Sequence, residues 1–191
     1  MQTSTWVPWI SAAVAVFWGV GGYNRLVRLR SDANAAFAAL ETELTKQVRL
    51  VHAVVPPEEE QTQSQFTGGS AFWGGLQGAA AQMAATLASA RAKPLDPERI
   101  AALAAAQEVL SMAWDRAERD DAHDLAGPRL PDNFNSEREQ LVRMALAAAE
   151  QFNQAVARYN EAIAQFPATV LAWLFGFHPA RGLGTPSSVG P

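Results

Sequence analysis

The sequence predicts an all-α protein: an N-terminal transmembrane helix continuous with an antiparallel up-down four-helix bundle. Three observations carry that expectation. Charge is absent before Arg25, so Trp6 to Tyr23 reads as one uninterrupted apolar run. From Arg25 onward, apolar residues recur every three or four positions, the period of a helix with one buried face. Alanine, the best helix former, recurs throughout, while Gly and Pro concentrate at the few places that divide the chain into segments.

Composition excludes several function classes at the outset. The chain has 191 residues, 15 basic against 19 acidic, and a formal net charge of -4, so it lacks the basic excess that nucleic acid requires of a main partner. It has no cysteine, which removes disulfides, thiolate zinc sites and thiol catalysis together. The fold must hold by packing.

Residues 1–5 read as a short extracytoplasmic N-terminus and residues 6–24 as the transmembrane helix. At about 1.5 Å per residue the run sits at the lower edge of what a hydrocarbon core of about 30 Å needs. Trp6, Trp9 and Tyr23 stand near its two ends, where amphipathic rings favour the headgroup level. Two other readings compete: a cleaved signal peptide, which would want a positive n-region where this chain offers only its α-amino group, and a buried core helix. Arg25, Arg28 and Arg30 follow at once, and positive charge beside a span marks the cytoplasmic side. The expected topology is therefore single-pass, with the N-terminus outside and the bundle in the cytoplasm.

The first bundle helix carries Leu26, Leu29, Ala33, Phe37, Leu40, Leu44, Val48, Val51 and Val55 on one face, and Pro56-Pro57 ends it. A second helix begins near Ser70 or after Gly75, with Leu76, Ala80, Met83, Leu87 and Ala90 inward, and stops at Lys93-Pro94. Asp96 caps a third, with Pro97 at its first position and Glu98 against its dipole; Ile100, Leu103, Leu110, Trp114 and Ala117 continue its face, interrupted by Gln107. Ser136-x-x-Glu139 is a capping-box pattern for a fourth, whose seam runs Leu141, Ala145, Ala148, Phe152, Ala155, Tyr159, Ile163 and Phe166 until Pro167. In an up-down bundle, loops 56–70 and 120–135 share the distal, acidic end, while the turn at Lys93 to Pro97 and the segment Phe166 to Phe177 sit near lipid.

The seventeen residues Gln151 to Pro167, which include Phe152-Asn153, Arg158-Tyr159-Asn160 and Phe166-Pro167, are followed by Phe175-Gly176-Phe177. Together they resemble the C-terminal signature of the bacterial LemA family. Tyr23-Asn24-Arg25-Leu26-Val27-Arg28-Leu29-Arg30 is similar to the run that follows the family's N-terminal span. The resemblance implies a LemA-like bundle domain over 25–177 anchored at a bacterial inner membrane, in a family without an established activity; by composition, residues 178–191, rich in Gly, Pro and Ser, read as a disordered tail. It marks Tyr23, Asn24, Leu26, Arg28, Arg30, Phe152, Asn153, Arg158, Tyr159, Asn160, Phe166, Pro167, Phe175, Gly176 and Phe177 as motif positions. At helical spacing their ordinary roles are packing and helix termination.

No catalytic constellation is legible. His52, His123 and His178 lie far apart, and no metal-binding His pair or nucleophile elbow occurs. Asp120-Asp121 with His123-Asp124 reads as a solvated charge cluster beside Arg116 and Arg119 rather than an ion site. The glycines around Phe72-Trp73 lack the lysine of a phosphate loop.

The expectation is thus an interaction or scaffold module rather than an enzyme, with no cofactor and no metal. Its partners would be the bilayer, through residues 6–24, and an unidentified protein. Phe66, Phe72 and Trp73 are the candidate partner tip, and Trp173 and Phe177 the candidate membrane contact. Homo-oligomerisation through the small-residue series Ala13, Ala15, Gly19, Gly21 and Gly22 stays open. So does the alternative of a ligand- or metal-binding bundle, or an enzyme, using the core or the acidic end.

Overall fold

The computed structural model describes residues 6–55, 69–123, 131, 133–166 and 168–184, and among them the chain is helical with no strand. Five helices follow in order: α1 Trp6–Val54, α2 Gly69–Ala92, α3 Pro97–His123, α4 Phe134–Ala164 and α5 Ala168–Phe175. The apolar N-terminal run and the first bundle helix form one rod of 49 residues, about 74 Å long. It ends where Pro56-Pro57 bars further helix.

The helical period places the core. Leu26, Ala33, Phe37, Leu40, Leu44, Val48 and Val51 of α1 are buried, as are Leu76, Ala80, Met83, Leu87 and Ala90 of α2. Ile100, Leu103, Leu110, Trp114 and Ala117 of α3 meet them, with Ala145, Ala148, Phe152, Ala155, Tyr159 and Ile163 of α4. Helix α1 packs broadly against α4, α2 against α3, and α1 against α2. The Phe37 and Phe152 rings lock α1 to α4 edge to face, with centroids 5.5 Å apart. Helices α3 and α4 meet near the far end, where the Trp114 and Phe134 rings lie 4.8 Å apart and Arg138 bridges Asp115 and Glu118.

Local chemistry explains the helix starts. The Asp96 carboxylate accepts from the backbone N–H of Glu98 at 3.0 Å and of Arg99 at 3.3 Å, so α3 opens as its sequence predicts. The capping box expected at Ser136 does not form. Helix α4 already starts at Phe134, with Asn133 at the N-cap, and the Ser136 hydroxyl, inside the first turn, donates to the Asn133 carbonyl at 2.7 Å. An apolar anchor at Phe134 decides that boundary.

Three further expectations are corrected. Among the described residues, no helix is long and apolar enough to cross a membrane, so the transmembrane helix expected over 6–24 is not found. The tryptophans, the glycines and Tyr23 keep this stretch less apolar than a Leu- or Ile-rich span. What the fold shows instead is an N-terminal arm of α1 that exposes Trp9, Val14, Phe17, Trp18 and Val20. The turn after α2 is not at the base of that arm. Arg91 pairs with Glu41 at 3.4 Å, which sets the foot of α2 beside the middle of α1, about 24 Å along the axis from Arg25. Residues 178–184, expected as the start of a disordered tail, pack against α4, with Ala180 and Leu183 buried.

Candidate functional site

The two sequence blocks that stand at opposite ends of the chain converge in space. Tyr23, Leu26 and Arg30 fall on one face of α1, because positions three and seven apart overlie each other on a helix. Leu26 is fully buried there. The Tyr23 ring meets Phe175 at 4.9 Å and Phe177 at 6.1 Å between centroids, and the Arg30 guanidinium lies 5.9 Å from the Phe177 ring centre. An arginine over an aromatic face is an attractive pair, stronger where water is excluded.

Helix α5 reaches this junction through its own stop signal. Gly176 has φ +69°, a left-handed conformation that a side chain disfavours, and the Phe177 N–H donates back to the Ala172 carbonyl at 2.9 Å. That six-residue closure, with Phe177 and Ala172 both buried, is a Schellman motif. It turns the chain sharply and sends it back along α4.

The returning segment, residues 177–184, is a strap. Asn160 of α4 grips both backbone groups of one residue: its Nδ2 donates to the Ala180 carbonyl at 2.7 Å, and its Oδ1 accepts the Ala180 N–H at 2.9 Å. Asn153 Nδ2 donates to the Leu183 carbonyl at 2.8 Å, and the Tyr159 hydroxyl donates to the His178 carbonyl at 3.0 Å. Burial drives the Tyr159 phenol above its ordinary pKa, with the positive charge of Arg30 pulling more weakly the other way. The neutral, donating phenol is therefore the form the fold favours.

Beside the junction lies an open cleft of about 280 Å³ between α1, α4 and α5. Phe17, Trp18, Leu26, Phe166 and Leu171 give it apolar walls, and Arg25 and Gln165 supply its polar side chains. An aliphatic group with an anionic head suits such a surface.

The predicted site residues divide sharply. Phe152, Tyr159 and Leu26 lie in the core. Asn153 and Asn160, expected as packing positions, are instead the hands that hold the strap. Arg28, Asn24 and Arg158 are exposed. Phe166 closes no seam: it is 83% exposed at the end of α4, and Pro167 lies outside the described residues. The partner tip is corrected at Trp73, which is 2% exposed and part of the core, since α2 starts early enough to turn it inward. Phe66 and the Phe72 side chain lie outside the described residues, as do the Asp120, Asp121, His123 and Asp124 side chains. Of the candidate membrane pair, Trp173 is 84% exposed, but Phe177 is buried under Tyr23 and Arg30.

Sequence reasoning missed the strap altogether. The strap shows only in the structure, as burial of Phe177, Ala180 and Leu183, every third residue. Sequence reasoning also missed Gln47, a polar side chain buried in α1 whose Nε2 has no hydrogen-bond partner. Among the described residues no group of three or more His, Asp or Glu side chains is placed to hold a metal ion.

No curated protein and no solved structure matches the chain. The model of the LemA family matches residues 75–188. That stretch exceeds half of the sequence and runs from α2 through the strap, so it contains α3, α4 and α5 with every strap-holding side chain. The chain belongs to the LemA family.

Proposed function

We propose that this protein is a membrane-attached interaction module, a helical bundle held at a bacterial inner membrane by the N-terminal arm of α1 and by α5. One observation carries the reading: two unpartnered apolar surfaces stand side by side at one end of the bundle. The arm exposes Trp9, Val14, Phe17 and Trp18 with no charged face, and α5 exposes Val170, Trp173 and Leu174 next to it. Burying such surfaces in lipid is favourable by about 25 cal/mol per Å², and among the described residues no other element covers them. Arg25 and Arg28 stand exposed just above, where anionic headgroups would lie.

The arm supplies depth and α5 supplies breadth. With Ala172 seated on the bundle, α5 offers its outer face to lipid as an interfacial helix does. The rigid bundle above then presents its far end to a protein partner.

Vesicle flotation tests this. The full chain should float with vesicles containing anionic lipid. The double variant Trp173→Ser, Leu174→Ser should lose about tenfold or more of that affinity at 0.15 M salt, since two large apolar side chains are worth about 1.5–3 kcal/mol each when buried. Undiminished flotation of the double variant would remove α5 from the contact, and a full chain that stays with the aqueous fraction would overturn the reading.

A further inference from the structure

We propose that the face of α4 bearing Asn153, Tyr159 and Asn160 is an extended-peptide-binding site, which the strap fills in cis and which a proline-containing extended segment of another protein fills when the strap leaves. The site reads backbone rather than side chains. Asn160 satisfies both the N–H and the C=O of one residue, Ala180, at 2.9 and 2.7 Å, as a neighbouring strand would. Tyr159 and Asn153 take the carbonyls of His178 and Leu183 on either side.

The exposure pattern is the one a polyproline II ligand would show. Phe177, Ala180 and Leu183 are buried while His178, Pro179 and Arg181 face outward, a repeat of three. Three residues of that conformation advance about 9.3 Å. The seven residues from Asn153 to Asn160 advance about 10.5 Å along α4, so the two amides are spaced to grip carbonyls one ligand turn apart. Helix and ligand run antiparallel.

The strap fills this site imperfectly. Asn160 is satisfied on both sides, whereas the Oδ1 of Asn153 is buried without a hydrogen-bond partner. That orphan acceptor lies against Gly182, where an added Cβ would come within 2.5 Å of it. A ligand that brings an N–H to Asn153, as Ala180 does to Asn160, would satisfy a group that the strap leaves unmet. The strap's advantage is attachment: a tethered ligand acts at an effective concentration in the millimolar range. A partner segment competes with it by better hydrogen bonding, its extended conformation being already set.

The test uses the full chain in detergent and a fluorescent octapeptide, Phe-His-Pro-Ala-Arg-Gly-Leu-Gly, in trans. Millimolar peptide should accelerate amide exchange at Ala180 of the wild-type strap. Gly182→Val places a Cβ against Asn153 and loosens the strap while leaving the α4 face intact; it should bind the peptide about tenfold more tightly than wild type. Adding Asn160→Ala to that variant should abolish the gain with helicity unchanged, and a scrambled peptide should bind neither. Unaltered Ala180 exchange at saturating peptide, no gain in Gly182→Val, or binding that survives Asn160→Ala would each overturn the proposal.

Discussion

Tyr159 shows how much one side chain carries. It is buried in the core on the seam of α4, its hydroxyl holds the His178 carbonyl at 3.0 Å, and burial drives its phenol pKa above the ordinary value. The raised pKa has a definite sign. Below the unfolded value of about 10 both states keep the proton and the hydrogen bond contributes in full. Above it the unfolded chain gains by releasing the proton first, so stability falls as pH rises toward the folded pKa. Tyr159→Phe should therefore cost about 1 kcal/mol at pH 7, for the lost hydrogen bond, and should flatten the decline above pH 10. Thermal melts of both proteins from pH 7 to pH 11 check this; parallel declines would show that Tyr159 does not titrate with unfolding. The sequence showed Tyr159 as a seam residue, but its partner lies 19 positions away. Asn153 and Asn160 were legible only as motif positions, because an asparagine's use depends on what backbone is brought to it.

At the scale of elements, local signals worked where the chemistry is local. Asp96 and Pro97 start α3 and Pro56-Pro57 bars extension of α1, because capping and the missing N–H act within one turn. The α4 start went astray because burial of Phe134 outweighed the capping box. The Schellman closure after α5 is the element on which the strap depends. Gly176→Ala must hold a side chain at φ +69°, which costs about 1–2 kcal/mol. Part of that cost is expected as a lower melting temperature and part as faster proteolysis at Arg181, since a strained closure releases the strap first. A melting temperature and a cleavage rate both equal to wild type would mean that the closure contributes nothing. The Phe-Gly-Phe sequence carries this turn, yet only its packing against Tyr23 and Arg30 shows that Phe177 belongs to the bundle rather than to a lipid surface.

At the scale of the whole molecule, the placement of apolar and charged surface sets the proposed orientation. The exposed arm, the outer face of α5, Arg25 and Arg28 occupy one end, and residues 56–70 lie beyond the other end of α1 in sequence. Positive charge beside an apolar segment stays on the cytoplasmic side. The chain has no native cysteine, so Ser64→Cys gives a single reporter. A membrane-impermeant maleimide should label it only after lysis of cells or spheroplasts. Labelling before lysis would place the bundle in the envelope and reverse the assignment drawn from the arginines.

The sequence by itself determined the helical class, the continuity of α1, most of the buried faces and the family. These depend on spacing along one helix, on residues that bar helix, and on motif blocks, all of which are written in linear order. Tertiary structure alone decided that the two blocks touch, that Trp73 and Phe177 are internal, and that residues 177–184 are bound rather than free. Those facts depend on which surfaces meet after a sharp turn at Gly176, and a contact between a side-chain amide in α4 and the backbone of a residue 20 positions later leaves no periodic trace in the chain.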